Sequence, residues 1–280
     1  MNEIRVQFGT KDGDTDSYET NENATNINLS GHDIVEIDLS PLRVCKNLVE
    51  LNLSANIIRS INLEPLLGCH SLQKLNLSSN LISALDLTPI EKCTNLQDIF
   101  LEINNMKRID LSPLTTCIQL EELCLQANDF QSIDLSPLRM CSKLRFLRLD
   151  NNQLIDVDLR PLSRCINLQE LFLENNRFEE LDLAPLSSCS SLEGLWLRST
   201  DILKIELLPL KECVNLLWVD ISENHMKTVD ITPLFYCKGL ESFMIDETVP
   251  IMAQTEIRDE EWPNALELHR TRVFWSDMQN

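Results

Sequence analysis

A single spacing of 24 residues governs most of this chain and restricts its possible folds more than any other feature. Nine prolines recur at this interval from Pro41 to Pro233, and nine cysteines recur at the same interval from Cys45 to Cys237. A fixed period between about 20 and 50 residues is the signature of stacked structural repeats, in which each unit packs only on its neighbours. We therefore expect one elongated array, although a length of 280 residues alone would allow two globular domains.

Each copy follows the pattern LxxLxLxxNxIxxIDLSPLxxCxN, and the segment LxxLxLxxN is complete at five places in the chain. These places are residues 48–56, 72–80, 120–128, 144–152 and 168–176. The pattern resembles that of the leucine-rich repeat family, and the resemblance covers roughly residues 27–248. It implies a leucine-rich repeat solenoid of the α/β class, curved and right-handed. A parallel β-sheet is then expected on the concave face, with short turns or 3-10 segments on the convex face.

The residues of one repeat predict similar local structure on physical grounds. In the triplet at 51–53, alternation directs two leucines into the core and an asparagine to the opposite face of a short strand. Asn56 follows at a turn, where a buried amide can satisfy backbone groups that would otherwise lack partners. In the SPL segment at 112–114, serine is expected to cap a short helical turn and proline to occupy its first position.

The repeats divide the chain into three parts. Residues 1–26 are predicted to form a polar N-terminal cap, residues 27–248 a solenoid of about nine 24-residue repeats, and residues 249–280 a C-terminal cap or tail. The last part carries three aromatic residues that we expect to cover the final leucines of the stack: Trp262, Phe274 and Trp275. The alternative is a structural scaffold that contacts its partners through its ends or through this tail.

The charge balance excludes some classes of partner. The chain carries 44 acidic and 24 basic residues, for a net charge of −20. Binding to nucleic acids or to anionic membranes depends on lysine and arginine neutralising phosphate groups, so neither is expected. No run of apolar residues approaches the roughly 18 that a membrane-spanning helix requires. The balance favours a protein or peptide partner with a basic and apolar segment.

The cysteines are predicted to be buried core residues. They form no CxxC pair and no Cys/His cluster with the spacing of a zinc site. A thiol that recurs once per repeat behaves as a small buried hydrophobe, although occasional disulfides between neighbouring copies remain an alternative. The first residues also lack the charged and then apolar pattern of a signal peptide. Together these features favour a cytoplasmic protein.

Few residues suggest chemistry. Four histidines form no catalytic arrangement with serine or cysteine, and six glycines form no phosphate-binding loop. The sequence therefore predicts no enzyme, no cofactor and no resident metal. A calcium-dependent surface stays open as an alternative, because one column of aspartates recurs on the convex side: Asp38, Asp86, Asp110, Asp134, Asp158, Asp182 and Asp230. We expect these carboxylates instead to lie in water beside the N-termini of the short helical turns.

The outward strand positions vary in a way that the rest of the repeat does not. In the first copies the position between the two strand leucines holds Asn28, Asn52 and Asn76. In later copies this position and those near it gain aromatic and cationic side chains: Phe100, Phe146, Arg148, Phe172, Trp196, Arg198 and Trp218. The repeat at 192–215 also departs from the pattern elsewhere, with Thr200 in place of asparagine. Where local rules are broken, function or strain is the usual reason.

These seven residues are the predicted partner-binding site. Tryptophan and arginine are the residues most enriched among binding hot spots, and the inside of a curved sheet presents them together. The alternative is that the aromatic rings stack on one another only for stability. An acidic rim is predicted around the site, formed by Glu102, Asp150, Glu174, Glu193 and Asp246. Such a rim would favour a partner with basic residues beside an apolar segment.

Overall fold

The computed structural model of the chain describes residues 2–277. Met1 and residues 278–280, the outermost ends of the two predicted caps, lie outside the described residues. The strands in chain order are β1 (Glu3–Thr10), β2 (Thr15–Asn21), β3 (Asn26–Asn28), β4 (Ile34–Ile37), β5 (Glu50–Asn52), β6 (Lys74–Asn76), β7 (Asp98–Phe100), β8 (Glu122–Cys124), β9 (Phe146–Arg148), β10 (Glu170–Phe172), β11 (Gly194–Trp196), β12 (Trp218–Asp220), β13 (Val229–Asp230), β14 (Ser242–Met244), β15 (Ile251–Gln254) and β16 (Val273–Ser276).

Helical structure in the described residues is confined to short segments. One α-helical turn, α1, spans Asn264–Glu267. The 3-10 segments are Ser40–Val44, Glu64–Gly68, Thr88–Ile90, Ser112–Thr116, Ser136–Met140, Arg160–Arg164, Ala184–Ser188, Leu208–Glu212, Thr232–Tyr236, Thr255–Ile257 and Arg270–Arg272. Within residues 2–277 no helix has the length and apolar character needed to span a bilayer.

Ten short strands form one parallel sheet on the concave face of the solenoid. The spatial order is β3-β5-β6-β7-β8-β9-β10-β11-β12-β14, so each repeat lies beside the next one in sequence. Every pair in this sheet is shifted by 24 residues; for example, Leu51 lies opposite Leu75, and Phe172 lies opposite Trp196. The predicted leucine-rich repeat solenoid is thereby confirmed. Residues at equivalent positions of the repeats consequently form straight rows across the sheet.

The leucine and cysteine columns fill the interior. The central residue of each sheet strand is buried, as are the leucines that follow most of the strands. All ten cysteines are buried and unpaired. Several thiols donate to a carbonyl one repeat earlier, as Cys69 Sγ does to the carbonyl oxygen of Cys45 at 3.4 Å. Burial raises the pKa of the Cys93 thiol to about 12, and a protonated buried thiol is chemically inert.

A ladder of buried asparagines joins each repeat to its predecessor. The Asn128 amide nitrogen donates to the carbonyl oxygens of Leu101 and Leu125 at 3.0 and 3.2 Å, and its Oδ1 accepts from the Met106 N–H at 3.1 Å. The residue before it, Ala127, has a φ of 53°, in the left-handed region that a tight turn requires. The asparagines of the ladder share this buried role: Asn56, Asn80, Asn104, Asn128, Asn152, Asn176 and Asn224.

On the convex face the aspartate column caps the 3-10 segments, and the prediction that serine does so is wrong. The Ser112 N–H donates to Asp110 Oδ1 at 2.8 Å, while Ser112 itself is the first residue of the 3-10 segment. Hydrogen bonds from Ser112 lower the pKa of Asp110. Asn62 makes the same bond with the Glu64 N–H at 2.9 Å, so an amide oxygen serves as well as a carboxylate. The recurrence of aspartate thus has a structural reason.

The N-terminal end of the stack is covered by a small antiparallel sheet. Strands β1 and β2 pair along their lengths, and β4 pairs with the other edge of β1. Ile4, Val6 and Phe8 of β1 are buried in the core of the solenoid. The expectation of a polar N-terminal cap overlooks the alternation of these three apolar residues with exposed ones, which is the usual signal of a half-buried strand.

The C-terminal segment packs on the last repeat. Strands β13, β15 and β16 form a second parallel sheet, and the buried Trp262 ring lies 4.8 Å from the Phe235 ring. The Trp275 ring lies 5.9 Å from Trp262 and is partly buried. Phe274 is 60% exposed, so the expectation that it covers the final leucines is wrong. Adjacent residues of β16 face opposite sides of the sheet, and Phe274 therefore points away from the core.

The asparagine ladder makes a direct prediction about stability. Substituting alanine for Asn128 leaves the Met106 N–H buried without an acceptor, and a buried group without a partner costs about 1–3 kcal/mol. It also removes one of the two amide donors to the Leu101 and Leu125 carbonyls, which Asn104 and Asn152 still contact. We expect the free energy of unfolding to fall by roughly 2–4 kcal/mol, measured by urea denaturation followed by circular dichroism. The control is Asn105→Ala on the exposed surface, for which a change within about 0.5 kcal/mol is expected. Equal effects of the two substitutions would contradict the role assigned to the ladder.

Candidate functional site

The concave face presents its outward side chains in three neighbouring rows, because the 24-residue register aligns equivalent positions. The leading row holds the first residue of each strand: Glu122, Phe146, Glu170, Gly194 and Trp218. The central row holds the third residue: Phe100, Cys124, Arg148, Phe172 and Trp196. The trailing row lies two residues further along: Glu102, Gln126, Asp150, Glu174 and Arg198. Six of the seven predicted site residues lie in the first two rows, and Arg198 lies in the third.

Three central-row side chains form a continuous stack across β9, β10 and β11. The Phe172 and Trp196 rings are parallel to within 3°, with centroids 5.9 Å apart. The Arg148 guanidinium lies 4.3 Å from the centroid of the Phe172 ring. Each member is half-buried, so part of each remains open to solvent. The structure therefore joins three of the predicted residues into one apolar and cationic surface.

The other predicted residues lie beside this stack without joining it. Phe100 is separated from Arg148 by the strand that carries the buried Cys124, and the Lys74 ammonium lies 4.6 Å from the Phe100 ring centroid. Phe146 is covered by the Arg145 guanidinium at 5.0 Å. Trp218 lies three strands from Phe146, or about 14 Å at the usual spacing of strands.

Gly194 shapes the site in a way that the sequence analysis misses. A Cβ atom at this position would lie 2.9 Å from Trp196 Nε1, so the missing side chain makes room for the indole. The indole N–H then donates to Glu170 Oε2 at 3.3 Å. A glycine inside a strand often marks the close approach of another group, and this signal was present in the sequence.

Arg198 has a different environment from the one predicted. Its guanidinium is paired with the Glu223 carboxylate, and both side chains are 53% exposed. Within residues 2–277 no aromatic ring lies in cation–π contact with the Arg198 guanidinium. Its positive charge is therefore largely offset within the protein, and it borders the site from the trailing row.

Unpartnered polar atoms are concentrated in the central and trailing rows. Within residues 2–277, six buried side-chain nitrogen or oxygen atoms lack a hydrogen-bond partner, and five of them belong to these two rows. The five atoms are Arg148 Nε, Glu102 Oε2, Gln126 Oε1, Asp150 Oδ1 and Glu174 Oε2. A buried acceptor without a donor costs about 1–3 kcal/mol, so this arrangement lowers the free energy of unfolding of the protein when no partner is bound.

The carboxylates of the trailing row are poorly solvated. Burial raises the pKa of Glu174 to about 7, and the nearby Asp150 and Asp220 raise it further while Arg148 lowers it. Burial also raises the pKa of Glu102. The Asp150 side chain is only 5% exposed, and its Oδ1 lies 3.6 Å from Arg148 Nε.

Two other members of the predicted acidic rim serve different purposes. Asp246 accepts the N–H groups of Glu223 and Asn224, which in earlier repeats donate to backbone carbonyls of the following repeat, as Ala55 and Asn56 do. Glu193 lies beside Gln169, whose amide donates to it at 3.4 Å. The acidic residues nearest the stack therefore form part of the floor of the concave face, and the interpretation of all five as a rim is wrong.

The cavities near the C-terminal end of the solenoid include one on each face. The concave one has a volume of about 410 Å³ and is lined by Glu174, Asn175, Trp196, Arg198, Asp220 and Glu223. The convex one has a volume of about 880 Å³ and lies between residues 203–211 and 225–236, with β15 at one side. Its lysines, Lys204, Lys211 and Lys227, are balanced by Glu206, Asp230 and Glu256. Within residues 2–277 no group of three or more histidine, cysteine, aspartate or glutamate residues is arranged to hold a metal ion.

The sequence matches a known family model over most of its length. Residues 11–145 and 139–257 match the model of the BspA type leucine rich repeat region, in six copies. No curated protein matches the chain.

Solved structures of low sequence identity share the fold. A leucine-rich repeat protein of Leptospira interrogans is 18% identical, with a TM-score of 0.63 over 91% of this chain and 72% of that one. An internalin of Listeria monocytogenes is 21% identical, with a TM-score of 0.50 over 92% of this chain and 88% of that one. The plant peptide hormone receptor RGFR1, in complex with RGF2, is 20% identical, with a TM-score of 0.66 over 85% of this chain and 41% of that one.

The exposure of the stack predicts that it contributes little to stability. We expect Phe172→Ala and Trp196→Ala each to lower the free energy of unfolding by about 0.5–1.5 kcal/mol, the usual value of a stacked aromatic pair. The fully buried Leu171 lies beside Phe172 in the same strand, and Leu171→Ala should cost about 2–5 kcal/mol. Urea denaturation of the three variants measures these changes in the free energy of unfolding. If Phe172→Ala costs as much as Leu171→Ala, the stack is a structural element.

The raised pKa of Glu174 predicts that the stability of the protein depends on pH. This pKa is about 7 in the folded protein against an ordinary value of 4.5, so the folded state holds more protons than the unfolded state between these values. Stability from this group must therefore fall as pH rises from about 4.5 to 7. We expect the difference in unfolding free energy between wild type and Glu174→Gln to change across this window in that direction. A constant difference from pH 4 to 8 would show that the carboxylate is well solvated.

Proposed function

This chain belongs to the BspA-type leucine-rich repeat family, and we propose that it is a non-enzymatic module that binds a protein or peptide on its concave face. The observation that carries the proposal is the stack of Arg148, Phe172 and Trp196. The central row begins with Asn28, Asn52 and Asn76, so the scaffold forms without large side chains at this position. Three adjacent aromatic and cationic residues therefore serve a purpose other than building the repeat.

The energetics of association favour such a surface. Half-buried aromatic rings are already held in position by stacking, so binding orders few additional rotamers. Tryptophan and arginine are the residues that most often dominate binding energy when a partner covers them. Gly194 and the Trp196–Glu170 hydrogen bond hold the indole in one orientation before any partner arrives.

The charges around the stack support a partner with basic and apolar residues. The chain has a net charge of −20, and Glu102, Asp150 and Glu174 lie in the row beside the stack. Electrostatic complementarity of this kind accelerates encounter and rejects acidic partners. The plant peptide hormone receptor RGFR1 in complex with RGF2 has a similar fold, which supports a peptide partner by analogy of fold alone.

The scaffold and calcium alternatives have weaker support. Trp262 packs on Phe235 of the last repeat, and Ile257, Val273 and Trp275 pack against the core, whereas Phe274 is exposed. The convex aspartates each direct one oxygen at a backbone N–H, as Asp110 does toward Ser112, and this leaves fewer oxygens for a cation. We propose a reducing compartment such as the cytoplasm, since ten unpaired thiols in one chain are typical of proteins that remain reduced.

A comparison of two triple variants tests the concave site. The first is Phe172→Ala with Trp196→Ala and Trp218→Ala; the control, Leu203→Ala with Leu208→Ala and Tyr236→Ala, removes exposed apolar residues around the convex cavity. Each immobilised protein is used to capture partners from a lysate of the source cells, after circular dichroism has shown equal folding. We expect wild type and the convex variant to capture the same proteins and the concave variant to lose them at least tenfold. Loss with the convex variant alone would contradict the proposal.

A further inference from the structure

The unpartnered atoms of the concave face are mostly acceptors. Glu102, Gln126, Asp150 and Glu174 each contribute one buried oxygen without a donor, and Arg148 Nε is the single unpartnered donor beside them. Buried polar groups in folded proteins almost always have partners, so four such acceptors in adjacent repeats need an explanation. Asp150 Oδ1 and Arg148 Nε face each other at 3.6 Å as an ion pair, so the acceptors that remain without a donor are those of Glu102, Gln126 and Glu174.

Charge favours a cation as the partner of these oxygens. Glu102, Asp150 and Glu174 carry three negative charges when ionised, and Arg148 offsets one of them. Glu102 and Glu174 are half-buried, and burial raises the pKa of both carboxyls. An incoming ammonium or guanidinium group therefore meets carboxylates that are already partly desolvated, and a charge-assisted hydrogen bond in such a site is stronger than one at an exposed surface.

The concave cavity at the end of the trailing row has room for one such side chain. Glu174 and Trp196 line it, together with Asp220 and Glu223. Glu223 is already bound to Arg198 and Ser199, and Asp220 accepts from Ser222, so Glu174 has the greatest unused capacity. The Trp196 indole supplies an aromatic wall, against which lysine and arginine side chains pack favourably.

The rows also define how a bound segment lies. Neighbouring repeats are about 4.8 Å apart across the sheet, so Glu102 and Glu174 are separated by roughly 14 Å. The central and trailing rows are two residues apart along each strand, or about 6.6 Å. A segment that runs across the strands therefore faces the aromatic stack with one set of side chains and the acceptors with another.

We infer that the trailing row is a cation-recognition site, in which Glu174 and Glu102 bind lysine or arginine side chains of a partner segment that runs across the strands over the Arg148–Phe172–Trp196 stack. This inference rests on the proposed function, since it names the partner chemistry of the same face. The Glu174 cavity is the principal subsite, and the Arg148–Asp150 pair separates it from the Glu102 subsite. The partner's apolar side chains cover the stack beside these charges.

The test uses a random 12-residue peptide library, displayed on phage, as the probe. Peptides are selected on the full chain at pH 8, and their dissociation constants are measured on four proteins. The acceptor variant combines Glu102→Gln and Glu174→Gln, which preserve side-chain shape and leave the Arg148–Asp150 pair intact. The charge control combines Asp86→Asn and Asp134→Asn, which change the net charge equally on the convex face, where Asn62 shows that asparagine is accepted. The aromatic variant is the concave triple described above.

We expect the selected peptides to be enriched in lysine and arginine beside apolar residues. Their affinity should fall at least tenfold on the acceptor variant and less than threefold on the charge control. Replacing the peptide's lysine or arginine by glutamine should then have little further effect on the acceptor variant, because the interaction is already lost.

Two results would overturn the inference, and they differ in whether they also refute the proposed function. Peptides without basic enrichment, or with unchanged affinity for the acceptor variant, would refute the cation site while loss of binding on the aromatic variant still supports the concave groove. Binders that the aromatic variant retains, or a selection that yields no binder the aromatic variant loses, would refute the proposed function and the cation site together.

Discussion

The amide hydrogen bonds of the buried asparagine ladder are the interaction on which this structure depends. Each asparagine donates to a carbonyl of the previous repeat and accepts an N–H from it, as Asn128 does with Leu101 and Met106. These bonds lie inside the core, where a missing partner costs more than at the surface. The ladder therefore fixes the 24-residue register and, through it, the alignment of every outward position across ten strands.

The residues that recur in every repeat make the hydrogen bonds of the scaffold among themselves. The outward strand positions can therefore change without disturbing the fold. The leucine, asparagine, aspartate and cysteine columns are mutually satisfied within the described residues, whereas the unpartnered acceptors lie almost entirely in the rows around the aromatic stack. Local inconsistency of this kind is typical of functional sites in otherwise well-satisfied folds. The repeat that carries Trp196 also replaces the ladder asparagine by Thr200, whose hydroxyl donates to the Leu197 carbonyl at 2.8 Å and whose N–H is accepted by Asn224.

The candidate site was only partly predictable. The alternation of side chains along a strand is fixed by the backbone, so the sequence alone predicts which residues lie on the concave face: Phe100, Arg148, Phe172 and Trp196. It did not show which of them touch. Stacking of Phe172 on Trp196 depends on rotamers, on the space left by Gly194 and on the Glu170 carboxylate, and none of these follows from periodicity. The same limit explains Arg198, which pairs with Glu223 of the next repeat.

The sequence by itself determined the solenoid, the order of its strands, the buried thiols and the rows of outward residues, since a repeated pattern must place equivalent residues in equivalent environments. The tertiary structure decided what repetition cannot encode. Asp110 and not Ser112 acts as a cap, and the N-terminal hairpin buries its residues Ile4, Val6 and Phe8 in the core. Asp150 and Glu174 each have one buried oxygen that accepts no hydrogen bond. These features depend on distances between particular atoms of neighbouring repeats, and such distances exist only once the chain has folded.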